Sequence, residues 1–178
     1  MSKIASFTGH RPDKFSFKYD EQHINCIKLK YTLINEIEKL YSKGVKIFLT
    51  GCALGVDIWC GEIVLNLMQI YDDIQLYCIL PCKNQDKIWN DSYKKRFENL
   101  INNCTKSILI QQDYSKDCFF KRNKYLVDKA NIILAVYNIS LNKSGTKNTL
   151  NYAIKENKET IIIDGNTLDI YKTYKYFL

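Results

Sequence analysis

Three short stretches of the 178-residue chain set glycine beside arginine, hydroxyl or acidic residues in a pattern suited to holding an anion. In Thr8-Gly9-His10-Arg11-Pro12, Gly9 permits a tight turn and Pro12 stiffens its exit. Arg11 carries a planar fork of donors matched to phosphate oxygens, and His10 can donate or accept a hydrogen bond. A capped turn with an exposed arginine would look the same. In Thr50-Gly51-Cys52-Ala53-Leu54-Gly55-Val56-Asp57, glycines stand where a strand hands over to a helix. There the backbone can approach a ligand closely, and the helix start presents free N–H groups and positive potential. The stretch has neither the GxGxxG spacing nor the GK[ST] ending of the common phosphate loops. Asp57 opens the helix, as a ligand contact or as an acid that stabilises the helix end. Glu62, five residues on, would face a ribose or solvent. The third stretch, Ser144-Gly145-Thr146, repeats the logic: Ser144 or Thr146 caps the helix, and Gly145 allows close approach.

Two further segments carry chemistry-bearing residues. Leu80-Pro81-Cys82 ends a strand and leads to Lys83-Asn84-Gln85 and Trp89, which either covers a base or seals the core. Cys118–Asp128 holds Arg122 and Asn123 early in a helix, with Phe119, Tyr125 and Leu126 as its apolar faces. Arg122 serves either a ligand or a structural salt bridge, and Asp128 reads as a hydrogen-bond acceptor before a buried strand. The seven cysteines are odd in number, form no C-x-x-C pair and sit largely in apolar runs. They read as reduced, packed side chains, with no metal site.

The elements that must position these residues follow from hydropathy. Short, nearly continuous apolar runs at Ile4–Thr8, Lys46–Thr50, Gln75–Leu80, Ser107–Gln111, Ile132–Tyr137 and Thr160–Asp164 read as strands buried on both faces. Between them, helical spacing places Ile24, Ile27, Tyr31, Ile34, Ile37 and Tyr41 on one face. Helices are also expected over Gly55–Ile70, Asp91–Cys104, Phe119–Lys129 and Thr146–Glu156, with a last short one over Leu168–Tyr176. Such alternation implies an α/β chain whose mostly parallel sheet, of about six strands, is covered by helices on both faces. No repeat, linker or low-complexity block divides residues 1–178, which read as one domain. Ligands of such sheets bind beyond the carboxyl ends of the strands, where the glycine loops fall.

Composition sets the outer limits. The hydrophobic fraction of 46% and charged fraction of 25% exclude a disordered tail, a collagen and a coiled-coil rod. No stretch reaches the roughly 18–20 apolar residues of a membrane helix. The opening residues form no secretory core, so a cytoplasmic location and no membrane partner are expected. The net charge of +7 comes from lysines without a long run, and only Arg11, Arg96 and Arg122 are arginines. Charge leaves nucleic acid and a smaller anion, such as a nucleotide, both open; dispersal of the lysines favours the smaller anion.

Taken in order, Thr8-Gly9-His10-Arg11-Pro12, Thr50-Gly51 with Gly55-Val56-Asp57 and Glu62, Arg122-Asn123 with Val127-Asp128, and Ser144-Gly145-Thr146 resemble the SLOG superfamily, the Smf/DprA and LOG group. Within it the chain is most similar to the YoqJ/YpsA-like bacterial and prophage proteins. The resemblance covers nearly the whole chain. It implies a single three-layer, Rossmann-like domain that binds a nucleotide. Some relatives are phosphoribohydrolases, others sense ADP-ribose-type signals in anti-phage defence, and the DNA-processing relatives bind single-stranded DNA. In the hydrolases a PGGxGTxxE loop supplies the catalytic glutamate. Here Gly145-Thr146 align, the double glycine is absent, and Thr149 stands at the glutamate position. Asn123 stands where their paired motif has lysine. The expectation is a protein recognising an NAD- or ADP-ribose-derived or other nucleotide. Phosphates would sit on the loops at Gly9, Gly51–Gly55 and Ser144–Thr146, with Arg11 and Arg122 adding charge. Thr8, His10, Thr50, Leu54, Pro81 and Asn123 would complete the site, and Asp57 or Glu62 would take ribose hydroxyls. The alternatives are N-glycosidic hydrolysis using Glu62 or Asp57 as the carboxylate, and a single-stranded DNA-binding module. A homo-oligomer is expected by analogy with the superfamily.

Overall fold

The computed structural model describes residues 3–141 and 144–173. β1 (Lys3–Gly9) is followed by a short 3-10 turn at Pro12–Lys14 and α1 (Ile24–Ser42). Then come β2 (Val45–Thr50), α2 (Val56–Leu67), β3 (Gln75–Leu80), α3 (Asp91–Asn103) and β4 (Lys106–Leu109). α4 (Cys118–Lys129), β5 (Ile132–Tyr137), α5 (Gly145–Lys155), β6 (Glu159–Asp164) and β7 (Ile170–Thr173) complete the order. The strands form one sheet in the order β4-β3-β2-β1-β5-β6-β7. All neighbours are parallel except β6 and β7. β1 is thus central. The chain winds outward through β2, β3 and β4, then returns to the other side of β1 as β5. The reversal leaves a crevice at the carboxyl ends of β1 and β5, where open α/β sheets bind ligands.

The core explains why these segments form these elements. Every residue of β5 is buried, as its unbroken apolar run requires. α2 is buried on nearly all sides, with Trp59 at 1% exposure among its largest core side chains. Phe7 of β1 and Phe48 of β2 stack with ring centroids 5.8 Å apart. None of the seven cysteines is in a disulfide, and six are buried. Asp128 accepts hydrogen bonds from Lys124 (2.8 Å) and the Tyr152 hydroxyl (2.7 Å), the acceptor role read from its position.

The terminal helix expected over Leu168–Tyr176 is not formed where the structure describes it: Ile170–Thr173 is a strand antiparallel to β6. Residues 174–176 of that expectation lie outside the described residues. Asp164 causes the reversal. Its Oδ1 accepts from the backbone of Asn166 (2.8 Å) and Thr167 (2.9 Å), and its own N–H donates to the Asp169 carbonyl. Leu168 takes a left-handed φ of 64° to complete the turn. An Asp-Gly pair after an apolar strand is a hairpin signal, and β7 covers what would be an open sheet edge. The expected sheet of about six strands is therefore one of seven.

Away from the crevice, Glu21 ties the loop before α1 to α2 and α3. Its carboxylate receives Lys30 Nζ (2.5 Å), Trp59 Nε1 (2.9 Å), the Tyr93 hydroxyl (3.3 Å) and Arg96 Nη1 (2.6 Å). Burial alone would raise its pKa, but the hydrogen bonds from Arg96, Lys30 and Trp59 prevail and hold it at about 2. A carboxyl depressed on folding contributes stability above its ordinary value of 4.5, and that contribution is lost as pH falls toward about 2. Glu21→Gln should therefore cost about 2 kcal/mol at neutral pH. It should also flatten the fall in unfolding free energy between those two pH values, read by urea denaturation. Identical acid profiles in parent and variant would show that Glu21 carries no such linkage.

Candidate functional site

A cleft of ≈ 400 Å³ occupies the crevice. Its walls are the loop after β1, the start of α2, one face of α4 and the start of α5. Of the residues expected at a site, Thr8, Gly9, His10, Arg11, Asp57, Arg122, Asn123, Ser144, Gly145 and Thr146 line it. The parallel sheet brings them together: β1 and β5 are adjacent, so the loop carrying His10 meets the helix start carrying Thr146. The His10 Nδ1 and Thr146 Oγ1 atoms lie 3.4 Å apart.

Arg122 forms the floor. It is 4% exposed, on the inner face of α4. Its Nη1 donates to the Gly51 carbonyl, its Nε to Asn123 Oδ1 (2.8 Å), and the guanidinium stands 3.7 Å from Asp57 Oδ2. A Cβ built on Gly51 would collide with the guanidinium and approach Asp57 to 2.7 Å. Glycine is required here because a cation passes through the space a side chain would fill. Burial pushes the Asp57 carboxyl up and Arg122 opposes it; burial likewise pulls Arg122 down while Asp57 holds it charged. Arg122 is thus engaged by the protein itself.

The same engagement changes the role of the second glycine loop. Ala53 donates its N–H to Asp57 Oδ2 (3.4 Å), and the Val56 N–H points to the His10 carbonyl (3.5 Å). The chain's own carboxylate therefore lies at the start of α2, where an anion was expected. Gly55, at φ 88°, packs so tightly that a Cβ would meet the His10 carbonyl at 2.7 Å. Thr50, Gly51, Leu54 and Gly55 do not line the cleft. Thr50 donates to the Asp57 carbonyl (2.8 Å), and Leu54 packs against the core. Pro81 is buried at the end of β3, off the cleft. Glu62 is away from it as well: it receives Arg96 Nε (2.6 Å) and Nη2 (2.7 Å) between α2 and α3.

The unspent donors lie on the opposite side. Ser144 caps α5 by accepting from the Lys147 N–H (3.0 Å). The N–H groups of Gly145 and Thr146, the first two of α5, have no partner among the described residues. Nothing approaches the Cβ position of Gly145 within 4 Å. His10 is 3% exposed, between the rings of Tyr137 (5.3 Å) and Phe15 (6.1 Å), and its Nε2 is buried without a partner. Burial, and then nearby Lys14, lower its pKa from 6.5, so the ring is neutral at pH 7. Arg11 is exposed at the mouth, with no ion pair or side-chain hydrogen bond among the described residues. The Thr149 hydroxyl donates to the Gly145 carbonyl (3.0 Å) and accepts from Asn123 Nδ2 (3.1 Å), which leaves no carboxylate at that point of α5. Among the described residues, no cluster of three or more His, Cys, Asp or Glu side chains is placed to hold a metal.

Phe7, Asp13, Lys14, Ala53, Phe119 and Leu126 also line the cleft, beyond the site residues expected from sequence. Phe119 and Leu126 were legible: with Arg122 and Asn123 they recur at helical spacing and share one face of α4. Asp13 and Lys14 carried no such signal, since the 3-10 turn after Pro12 has no periodicity to read.

Removing Arg122 would strand the Asp57 charge. Arg122→Leu should lower the unfolding free energy by about 3–5 kcal/mol, and adding Asp57→Asn should restore part of that loss. Additive losses in the urea double-mutant cycle would show that the two side chains are not coupled.

The model of the YspA SLOG family matches residues 5–172. The "uncharacterized SPbeta prophage-derived protein YoqJ" of Bacillus subtilis (strain 168) is 35% identical over 145 residues, covering 72% of this chain and 82% of that protein. A UPF0398 protein of Bacillus pumilus (strain SAFR-032) is 28% identical over 138 residues, covering 76% and 73%. Another, of Bacillus cereus (strain G9842), is 25% identical over 138 residues, covering 76% and 74%. The chain belongs to the YspA SLOG family.

Proposed function

We propose that the protein binds a nucleotide, of the NAD- or ADP-ribose-derived kind, in the cleft between the β1 and β5 loops. One observation carries the reading: His10, whose Nε2 is buried without a partner, lines the same cleft as the two N–H groups that open α5, which have no partner among the described residues. An orphaned buried nitrogen costs about 1–3 kcal/mol unless something supplies its partner. An oxygen-rich anion meets it, the helix-end N–H groups and Arg11 together. His10 is neutral at pH 7, so its Nε2 serves a ligand oxygen as a hydrogen-bonding group, while Arg11 supplies the cationic charge. Phosphate would sit at the α5 start beside Arg11, with ribose hydroxyls toward His10 and toward Asp13, whose carboxylate is paired with Lys14 at 2.7 Å.

Binding without cleavage is the reading the carboxylates support. Asp57 is committed to Arg122 and the α2 start, Glu62 to Arg96, and Thr149 offers a hydroxyl where glycosidic cleavage calls for a carboxyl group. The lysines suit a small ligand better than nucleic acid. Lys30, Lys39, Lys46, Lys121 and Lys124 are each paired with an acidic residue, on several different elements. Among the described residues, no helix is long and apolar enough to cross a membrane.

Isothermal calorimetry with ADP-ribose, NAD and nucleoside monophosphates is the direct test, and saturable binding of at least one is expected. Gly145→Val should lower that affinity tenfold or more, because the position lines the cleft, while unfolding stability changes by less than about 1 kcal/mol. A folded protein that binds none of these ligands would refute the reading. So would release of free base from a bound nucleotide, which requires a hydrolytic group.

A further inference from the structure

A second cavity, of ≈ 620 Å³, opens beside the first and meets it at Arg11 and Phe119, which line both. Its wall is made by the loop after β3 and the segment after β4. The Lys83 N–H donates to the Gln112 carbonyl (3.1 Å) and joins the two into one surface. The chemistry of this wall differs from that of the cleft. Where the cleft offers a helix start and a histidine, the second cavity offers Trp89, Tyr114 and Ile88, with Lys83 and Lys87 beside them.

Three features set this wall apart from ordinary core packing. Trp89 is half-buried and fixed edge-on against Phe97 (5.6 Å, 79°), so its indole is held in place while still lining the cavity. Tyr114 is 69% exposed and Ile88 91% exposed, large apolar groups that the fold leaves uncovered at one place. Gln85 donates Nε2 to the Cys52 carbonyl (3.0 Å), which ties the wall to the loop after β2, while its Oε1 is buried without a partner. An aromatic surface with cations at its edge is what a heterocyclic base linked to phosphate would stack on.

We propose that this cavity is a second subsite for the same ligand and takes a flat aromatic base, with Arg11 between the two halves binding the linking phosphates. The ligand class is then two-ended: a nucleoside diphosphate extended by a second ribose or nucleoside. This rests on the nucleotide reading of the cleft and sharpens it. Either cavity alone is large enough for a nucleoside monophosphate, since small-ligand sites occupy about 300–1,000 Å³. Only a longer ligand gains from both.

Calorimetry with two probes separates the subsites. Ribose 5-phosphate reaches only the cleft, whereas ADP-ribose spans both cavities. ADP-ribose should bind the wild-type protein at least tenfold more tightly than ribose 5-phosphate. Trp89→Ala and Tyr114→Ala should each cut ADP-ribose affinity by about tenfold and leave ribose 5-phosphate unchanged. Arg11→Gln should weaken both. Tyr114 is exposed, so its variant keeps the test valid if Trp89→Ala fails to fold. Equal affinity for the two probes, or equal loss on both in the Tyr114 variant, would overturn the second subsite while leaving the cleft reading standing. Binding of neither probe to the wild-type protein would overturn both.

Discussion

The buried guanidinium of Arg122 is the constraint around which the cleft at the carboxyl ends of the strands is arranged. It lies where a Gly51 side chain would be, holds the Gly51 carbonyl, and faces the Asp57 carboxylate at 3.7 Å. The loop after β2 and the start of α2, which follow one another in sequence, are joined through one side chain to α4, 71 residues on. A buried charge is tolerable only if it is paired and hydrogen-bonded, so each partner restricts the others. Asp57 must open α2 for Arg122 to be neutralised, and Gly51 must lack a side chain for Arg122 to reach it. Asn123 in turn connects the same cluster to Thr149 on α5.

That internal commitment decides which groups remain for a ligand. The positive end of α2 is used by Asp57. Among the described residues, the polar groups left without a protein partner there are the first N–H groups of α5, His10 Nε2 and the Arg11 guanidinium. The cleft is therefore asymmetric, with its internal ion pair on one wall and its unsatisfied groups on the other. Glu62, which shares α2 with Asp57, is absorbed by an equivalent structural task with Arg96 on the outer side. The two arginines within the helical layers, Arg96 and Arg122, hold the fold together. Arg11, on a loop, is the one left at the surface.

Much of the architecture was legible because periodicity is a local property. Six strands are read as short apolar runs, and the helices between them by three- and four-residue spacing; β4 departs from the doubly buried pattern because it is the edge strand and none of its residues is buried. Of the residues that carry the family resemblance, Gly9-His10-Arg11, Asp57, Arg122-Asn123 and Ser144-Gly145-Thr146 line one cleft, while Thr50, Gly51, Gly55 and Glu62 lie off it. The roles within the site were less legible. Whether a glycine faces a ligand or makes room for a neighbouring side chain depends on contacts 71 residues apart, as between Gly51 and Arg122. Glu62 read as a candidate because nothing local revealed that Arg96 would lie against it. The four residues of β7 are too few to carry a strand period, so the segment reads as helical, while the Asp164-Gly165 turn that governs it is a single pair. The aromatic wall at Trp89 and Tyr114 joins segments from either side of α3 and β4, and no single stretch displays it.

Nitrogen NMR of the imidazoles reads most directly whether a ligand completes the buried Nε2 of His10. The chain has only two histidines. His23 is exposed, caps α1 by accepting from the Asn25 N–H (3.1 Å), does not line the cleft, and serves as an internal reference. Titration with ADP-ribose should move the His10 Nε2 resonance in step with saturation and leave His23 in place. Saturable binding with both imidazoles unmoved would contradict the account.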